Sequence, residues 1–347
     1  MKKTREECLA ALRDTPPILA GQKFVVDDFR PEDALGIARL YYAVYGEGFP
    51  VDSVYDPEEM IRLNAAMELH QVVGRAENND VVGLYAMFRN APGRRIMEAG
   101  SWIVHPDYRT TSLALRLAKR IHLKPPERLG LHVISGQSVC DHVISQKMSV
   151  LFKAMNLGLE VEAMPPRPEG EAQWCDGRIS LLDQFLVPKD RHQEVYLPER
   201  YAAFLRSLYE KHGLGRDFPV DQRPGMKETA SSLLRVEQAS LVRMTVTRVG
   251  EDFPLCLSAA LGERPEGHVD QLVLSLAAPG GSMAVEHARK AGFFIVGLLP
   301  GWFDHDGFMM QRLACAPDWA AIHVHTDDAK ALLEAVRADY ETLENRG

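Results

Sequence analysis

Residues 101–121, SWIVHPDYRTTSLALRLAKRI, constrain this chain more than any other stretch. Ser101-Trp-Ile-Val104 reads as a strand that stops at His105-Pro106. A short polar loop, Tyr108-Arg109-Thr110-Thr111-Ser112, runs straight into a basic amphipathic helix. There Leu113, Ala114, Leu117, Ala118 and Ile121 share one face, and Arg116, Lys119 and Arg120 take the others. The first N–H groups of a helix have no internal partner and lie at the positive end of its macrodipole. A strand, a loop of small residues and a helix start therefore make an anion site. Arg109 adds a planar fork suited to phosphate. The arrangement reads as a cradle for a pyrophosphate. The simpler alternative is an ordinary strand-turn-helix capped by Thr or Ser.

The run Val104-His-Pro106-Asp-Tyr108-Arg109-Thr-Thr-Ser112-Leu-Ala114 resembles motif A of the GCN5-related N-acetyltransferases. That signature is Arg or Gln, two residues, Gly, one residue, then Gly or Ala; Ser112 stands at the first Gly position. The resemblance implies acetyl-CoA (coenzyme A) as cofactor. It would be held by the strand backbone at Trp102, Ile103 and Val104 and by the loop and helix start, Arg109, Thr110, Thr111, Ser112, Leu113 and Ala114. The implied reaction is acyl-CoA-dependent N-acyl transfer, with acetyl as the expected group and a primary amine of a small molecule or peptide as acceptor. The fold it implies is α/β (α+β), a mixed, mostly antiparallel twisted sheet flanked by helices. It also allows a homodimer.

A base on or near the strand belongs to this chemistry. Glu98 is the only acid in RRIMEAGSWIV, and a strand period of two puts it on the face of Val104. The plain alternative for Glu98 is an exposed strand carboxylate in a salt bridge. The family's acid is a Tyr four residues before the Gly that closes the following helix. Ala154 stands at that position here, and Ala288 in the second half. Tyr41, Tyr42, Tyr45, Phe49 and Tyr55 fall in the region that covers the acceptor in the family, although Tyr41 and Tyr45 have a spacing equally suited to a core. A competing reading is a degenerate fold of the same family that binds or regulates without catalysis.

Other constellations carry less. Cys140-Asp141-His142 are adjacent, and neighbours on a chain rarely aim at one another. His323 and His325 supply two ligands without a third, so no metal site is expected. The net charge of −8 over 347 residues weighs against nucleic-acid affinity. Arg116, Lys119, Arg120 and Lys124 form a local basic patch beside the cradle. No run of about 18 apolar residues occurs, so no membrane span is expected. MKKTREECLAAL lacks the apolar core of a signal peptide. Cys8, Cys140, Cys175, Cys256 and Cys315 are widely spaced and contain no CxxC, which fits reduced thiols in a cytoplasmic protein.

The length has room for two domains. The first, residues 1–165, shows the order β-α-α-β-β-β-α-β-α-β, with a helix expected over 142–156. A Pro- and Gly-rich stretch over 163–177 reads as a linker. In residues 166–347, SLVRMTVTRV, FPLCLSAAL and VDQLVLSLA read as strands, 282–290 as a helix, and IHVHTDDAKALLEAVRADYETL as a strand and a helix. Both halves hold helix-Gly-strand endings, which suggests a duplication into two acyltransferase-like domains. Between the later strands Ala278-Pro-Gly-Gly281 has no basic residue, so the second domain is expected to bind no coenzyme A. YDPEEM, VYLPERY and GLLPGWFDHDGFMMQRL are runs shared with two-part bacterial members of the same superfamily, which the whole length resembles.

Overall fold

The computed structural model describes residues 3–49, 51–123, 125–166, 177–223, 225–262 and 267–344. The chain divides into two compact units, residues 1–90 with 97–131 and residues 91–96 with 132–347. The architecture is mixed α/β, with mostly antiparallel sheet flanked by helices.

In the first unit α1 (Arg5–Arg13) precedes β1 (Phe24–Asp28), α2 (Ala34–Tyr45) and α3 (Pro57–Ala65). Then come β2 (Leu69–Ala76), β3 (Val81–Phe88), β4 (Ile96–Val104), α4 (Leu113–Leu123) and the short α5 (Pro125–Arg128). The strands pair antiparallel in the order β1-β2-β3-β4. Helix α1 is absent from the expectations above, yet its capping box is legible. The Thr4 hydroxyl accepts from the Glu7 amide, and the Glu7 carboxylate accepts from the Thr4 amide at 2.8 Å.

The sheet has a helix on each face, and glycines set how close they come. A Cβ on Gly74 would lie 2.5 Å from Leu113 Cδ1, and one on Gly83 2.8 Å from Leu113 Cδ2. Helix α4 therefore seats Leu113 directly on the backbone of β2 and β3. The other face belongs to α2, where a Cβ on Gly36 would lie 2.8 Å from Val81 Cγ2. Arg75, the register partner of Val81, reaches Asp33 at the start of α2 through Nε and Nη2.

The second unit contains β5 (Val133–Val139), α6 (Ile144–Val150), β6 (Met155–Met164), β7 (Ile179–Leu186), β8 (Gln193–Glu194), α7 (Ala202–His212) and β9 (Arg216–Asp217). It continues with β10 (Ala230–Val236), β11 (Leu241–Arg248), α8 (Phe253–Leu261), β12 (Val269–Ser275), α9 (Gly281–Lys290), β13 (Phe294–Leu299), β14 (Gly307–Leu313) and α10 (Asp327–Glu344). Eight strands form a sheet in the order β5-β7-β6-β13-β14-β12-β11-β10, and β8 and β9 pair apart from it. Within the eight, β11 and β12 run parallel and every other neighbouring pair is antiparallel.

Two β-α-β-β blocks are visible in that order. β5-α6-β6-β7 is arranged β5-β7-β6, and β12-α9-β13-β14 is arranged β12-β14-β13. They meet where Gly158 of β6 faces Gly297 of β13. A Cβ on Gly297 would sit 2.0 Å from the Leu157 carbonyl oxygen, so only glycine lets the two strands touch.

Three expectations change. FPLCLSAAL is helix α8 rather than a strand: Phe253, Leu257 and Ala260 are buried at helical spacing, Pro254 lies in the first turn and Gly262 caps the end. The helix expected over 142–156 stops at Val150, because Met155–Met164 pairs along β7 as a strand. Gly158 therefore lies inside β6, and Ala154 does not precede a helix-closing glycine. IHVH forms no strand; the His323 amide instead donates to the Cys140 carbonyl at 2.7 Å. The boundary expected at 165/166 lies within the second unit, between the paired strands β6 and β7. Most of the expected linker, residues 167–176, lies outside the described residues.

Candidate active site

The junction of β4 and α4 has the expected form. Residues Pro106–Tyr108 make a single 3-10 turn. Tyr108 is buried, donates its hydroxyl to the Leu19 carbonyl at 2.7 Å and accepts from the Gln22 amide at 3.2 Å. That anchor fixes the loop. Thr111 then caps the helix: Oγ1 donates to the Tyr108 carbonyl at 2.7 Å and accepts from the Leu113 amide at 3.2 Å. Ser112 and Thr110 are exposed. Arg109 is exposed as well and holds the Val104 carbonyl through Nε at 3.3 Å, which leaves its terminal nitrogens toward solvent.

The basic patch is smaller than expected. Arg120 is committed to Asp27 at 2.7 Å and Asp28 at 3.0 Å. Burial works against the Asp28 carboxylate, but hydrogen bonds from Arg120 and Arg128 still hold it below the usual range. Arg116 lies 5.1 Å over the Phe24 ring, Lys119 is exposed, and Lys124 lies outside the described residues.

Strand β4 is not regular. Ala86 faces Gly100 and Leu84 faces Ile103, so Ser101 and Trp102 together oppose Tyr85 alone. This is a β-bulge, with Ser101 in the left-handed region at φ 54°. The extra residue reverses the alternation. Val104 pairs with Gly83, on the α4 face, whereas Glu98 pairs with Phe88, an odd number of residues further along β3. Glu98 therefore lies on the α2 face, opposite Val104, and the expectation that they share a face is corrected by the bulge.

The α2 face gathers the other polar groups. Burial pushes the Tyr41 phenol above its ordinary value. Glu98 is half-buried, and its carboxylate accepts from Asn90 Nδ2. Phe49 packs on Tyr41 at 4.9 Å and on Tyr45 at 5.1 Å, while Tyr55 donates to the Gly46 carbonyl at 2.8 Å and so ties the intervening loop. Tyr41 and Tyr55 are core residues; Tyr45 is exposed. On the α4 face Trp102 stacks on Tyr85 with ring centroids 5.0 Å apart, and the Tyr85 ring meets His122 edge-on at 5.5 Å.

The lesser constellations come apart. Cys140 is buried, and burial raises its thiol to about 12, too high for a nucleophile. His142 Nδ1 accepts from the Ile144 amide at 3.3 Å. The His325 amide donates to the Gln146 side chain at 2.9 Å. Among the described residues no group of three or more His, Cys, Asp or Glu is placed to hold a metal, and no helix is long and apolar enough to cross a membrane. Cys8, Cys140, Cys256 and Cys315 are free.

No family model and no curated protein matches the sequence. Solved structures similar to about half of the chain are acetyltransferases. Variant forms of a spermidine/spermine N-acetyltransferase from Vibrio cholerae match at 14% identity and TM-score 0.38, covering 48% of this chain and 95% of that one. An N-acetyltransferase from Staphylococcus aureus matches at 16% identity and TM-score 0.39, covering 48% and 98%. A ribosomal-protein-S5-alanine acetyltransferase from Vibrio fischeri matches at 12% identity and TM-score 0.39, covering 50% and 98%. About half of this chain is similar to each of these acetyltransferases.

Proposed function

We propose that the protein is an acyl-CoA-dependent N-acyltransferase that moves an acetyl group to a primary amine, with binding and chemistry in the N-terminal part. The observation that carries the reading is the bulged strand β4 entering α4 through the Arg109–Ala114 loop, with exposed cationic and amide groups at its end. The site residues fit the cofactor. Arg109 has its terminal nitrogens toward solvent, and the first turn of α4 adds N–H donors at the positive end of a helix. Acetyl-CoA, when bound, supplies an acyl group activated as a thioester.

The chain's own residues then divide the work. Arg109 and the amides of Thr110, Ser112 and Ala114 hold the pyrophosphate, the Thr111 and Leu113 amides being engaged by the Tyr108 carbonyl and the Thr111 hydroxyl. The backbone of Trp102, Ile103 and Val104 orients the strand edge. Glu98, on the α2 face with Tyr41 and Ser101, takes the proton that the acceptor amine must lose before it attacks. The acceptor enters from the side of α2, where Tyr45 and Phe49 offer an aromatic wall. Ser112 at the first Gly position and the lack of a Tyr at Ala288 favour the second reading, a non-catalytic binding module.

One assay separates the two: titration with acetyl-CoA, then release of free thiol in the presence of mixed amines. Thiol release that depends on an amine supports the enzyme; tight binding with no release under any amine supports the module. The phosphate assignment is tested by Arg109→Glu, which is expected to weaken coenzyme A by about 2 kcal/mol, the scale of a charge-assisted bond replaced by repulsion. Unchanged affinity in calorimetry, with the fold intact, removes the assignment.

We infer further that the chain is a duplication. The support is the pair of β-α-β-β blocks with the same strand order. On this reading the boundary belongs after β7, because β6 and β7 form one antiparallel pair.

A further inference from the structure

In the second unit a cleft opens between the start of β5, the segment after β7 and the turn between β13 and β14. Its wall carries Arg95, Lys189 and Arg191 around His132. Among the described residues these three cations have no carboxylate partner and no side-chain hydrogen bond. The acids nearby are already committed. Asp306, fully buried, accepts from Arg216 Nε at 2.6 Å, Tyr209 at 2.9 Å, Gln193 at 2.9 Å and the Gly301 amide at 2.9 Å. Asp190 holds Arg216 at 2.8 Å, and Asp304 accepts from the amides of Arg94 and Arg95 at 3.0 Å each.

The backbone under each cation is fixed. Arg95 is pinned by that Asp304 carboxylate and by the His132 amide, which donates to the Arg95 carbonyl at 2.8 Å. The Lys189 amide donates to the His132 carbonyl at 3.5 Å. The Arg191 carbonyl accepts from buried Arg216 at 2.8 Å. A Cβ on Gly93 would sit 2.7 Å from the Asp304 amide nitrogen, so the segment before Arg95 is held close against the 301–304 turn. The lining holds Arg95, Lys189, Arg191 and Arg216 against Asp190, Asp304 and Asp306, so in a chain of net charge −8 the cleft keeps an excess of positive charge that favours an anion. Burial and then Arg95, Arg191 and Lys189 hold the His132 imidazole below its ordinary value, against the pull of Asp304, in keeping with a field positive at that point.

We propose that this cleft is a second anion site that binds the phosphoryl group of a small phosphate monoester through Arg95, Lys189 and Arg191. A phosphoryl dianion offers three terminal oxygens to three cations that line one cleft, whereas a monocarboxylate offers two oxygens and one charge. The proposal does not depend on the acyltransferase reading.

The test uses the full chain carrying Arg109→Glu, so that the cradle is weakened, and inorganic phosphate as the probe in calorimetry at fixed ionic strength. Saturable binding is expected, with acetate at least about 10-fold weaker. Adding Lys189→Gln and Arg191→Gln together should weaken phosphate at least about 10-fold, at an unchanged melting temperature because neither side chain has a partner to lose. Arg191→Lys, which keeps the charge, should retain most of the affinity. No saturable phosphate binding in the Arg109→Glu chain overturns the proposal. Equal affinity in the Lys189→Gln/Arg191→Gln variant, or acetate bound as tightly as phosphate, does so as well.

Discussion

Ser101 holds a left-handed backbone, which costs a non-glycine residue about 1–3 kcal/mol and persists only where the surroundings demand it. The demand here comes from the bulge. Its effect is to move Glu98 from the α4 face to the α2 face. Sequence periodicity could not show this, because a period of two assumes an unbroken ladder; Glu98 as the one acid of the strand was legible, and its face was not. If Glu98 is the base, Glu98→Gln should leave coenzyme A affinity unchanged and slow turnover about 10²-fold, with the rate measured on the acceptor that supports thiol release. Wild-type turnover in that variant would make Glu98 structural.

His122 gives a prediction of another kind. Burial lowers its imidazole from an ordinary 6.5 to about 4. The folded chain keeps it neutral, while the unfolded chain takes up a proton below pH 6.5. Its contribution is therefore fully present above pH 6.5 and is lost as pH falls toward 4, levelling off below. At about 1.36 kcal/mol per pH unit the loss is at most about 3 kcal/mol. His122→Phe should flatten the acid limb of stability measured by urea unfolding between pH 7 and 4. An acid limb of the same slope in that variant would place the titration elsewhere.

At the scale of elements, the β4–α4 junction was the most legible part of the chain. An amphipathic stripe, a Pro break and a Thr cap are local signals, and each has its counterpart in the structure. The second unit was harder because its signals conflict. FPLCLSAAL is apolar throughout, so period alone does not separate strand from helix; the Pro near its start and the Gly after its end do. MNLGLEVEAM follows a helix without a polar break, which blurred the end of α6. Buried Asp306 gave no warning at all, since DHDG reads equally well as a surface turn. The seating of α4 on Gly74 and Gly83 makes its own prediction. Gly83→Ala puts a methyl against Leu113 and Leu117, and should destabilise by about 1–3 kcal/mol while lifting the helix start and weakening coenzyme A. Leu113→Ala in the same chain should recover part of that loss. The double-mutant cycle is the measurement: additive effects would mean the two side chains do not meet.

At the scale of the molecule, the proposed duplication raises the question of why two halves of one fold would carry one cofactor. In the second unit β11 precedes α8 as β4 precedes α4 in sequence, so the counterpart of the phosphate loop is Val249–Asp252 rather than Ala278–Gly281, which joins β12 to α9. The Val249–Asp252 junction contains Gly250, Glu251 and Asp252, and Asp252 stands at the helix start with its carboxylate accepting from the Thr229 amide at 2.7 Å. A carboxylate there repels a phosphate from the helix start. Strands β11 and β12 are also paired along their length, Leu241 with Val269 through Val246 with Leu274, and Arg243 bonds Gln271 across them at 2.7 Å. A ladder so complete leaves no strand edge free for an acyl thioester. Calorimetry should therefore give one coenzyme A per chain, weakened by Arg109→Glu and untouched by Asp252→Asn. Two equivalent sites per chain, or one that is unchanged by Arg109→Glu and responds to Asp252→Asn, would reverse the assignment and make the C-terminal half the binding half.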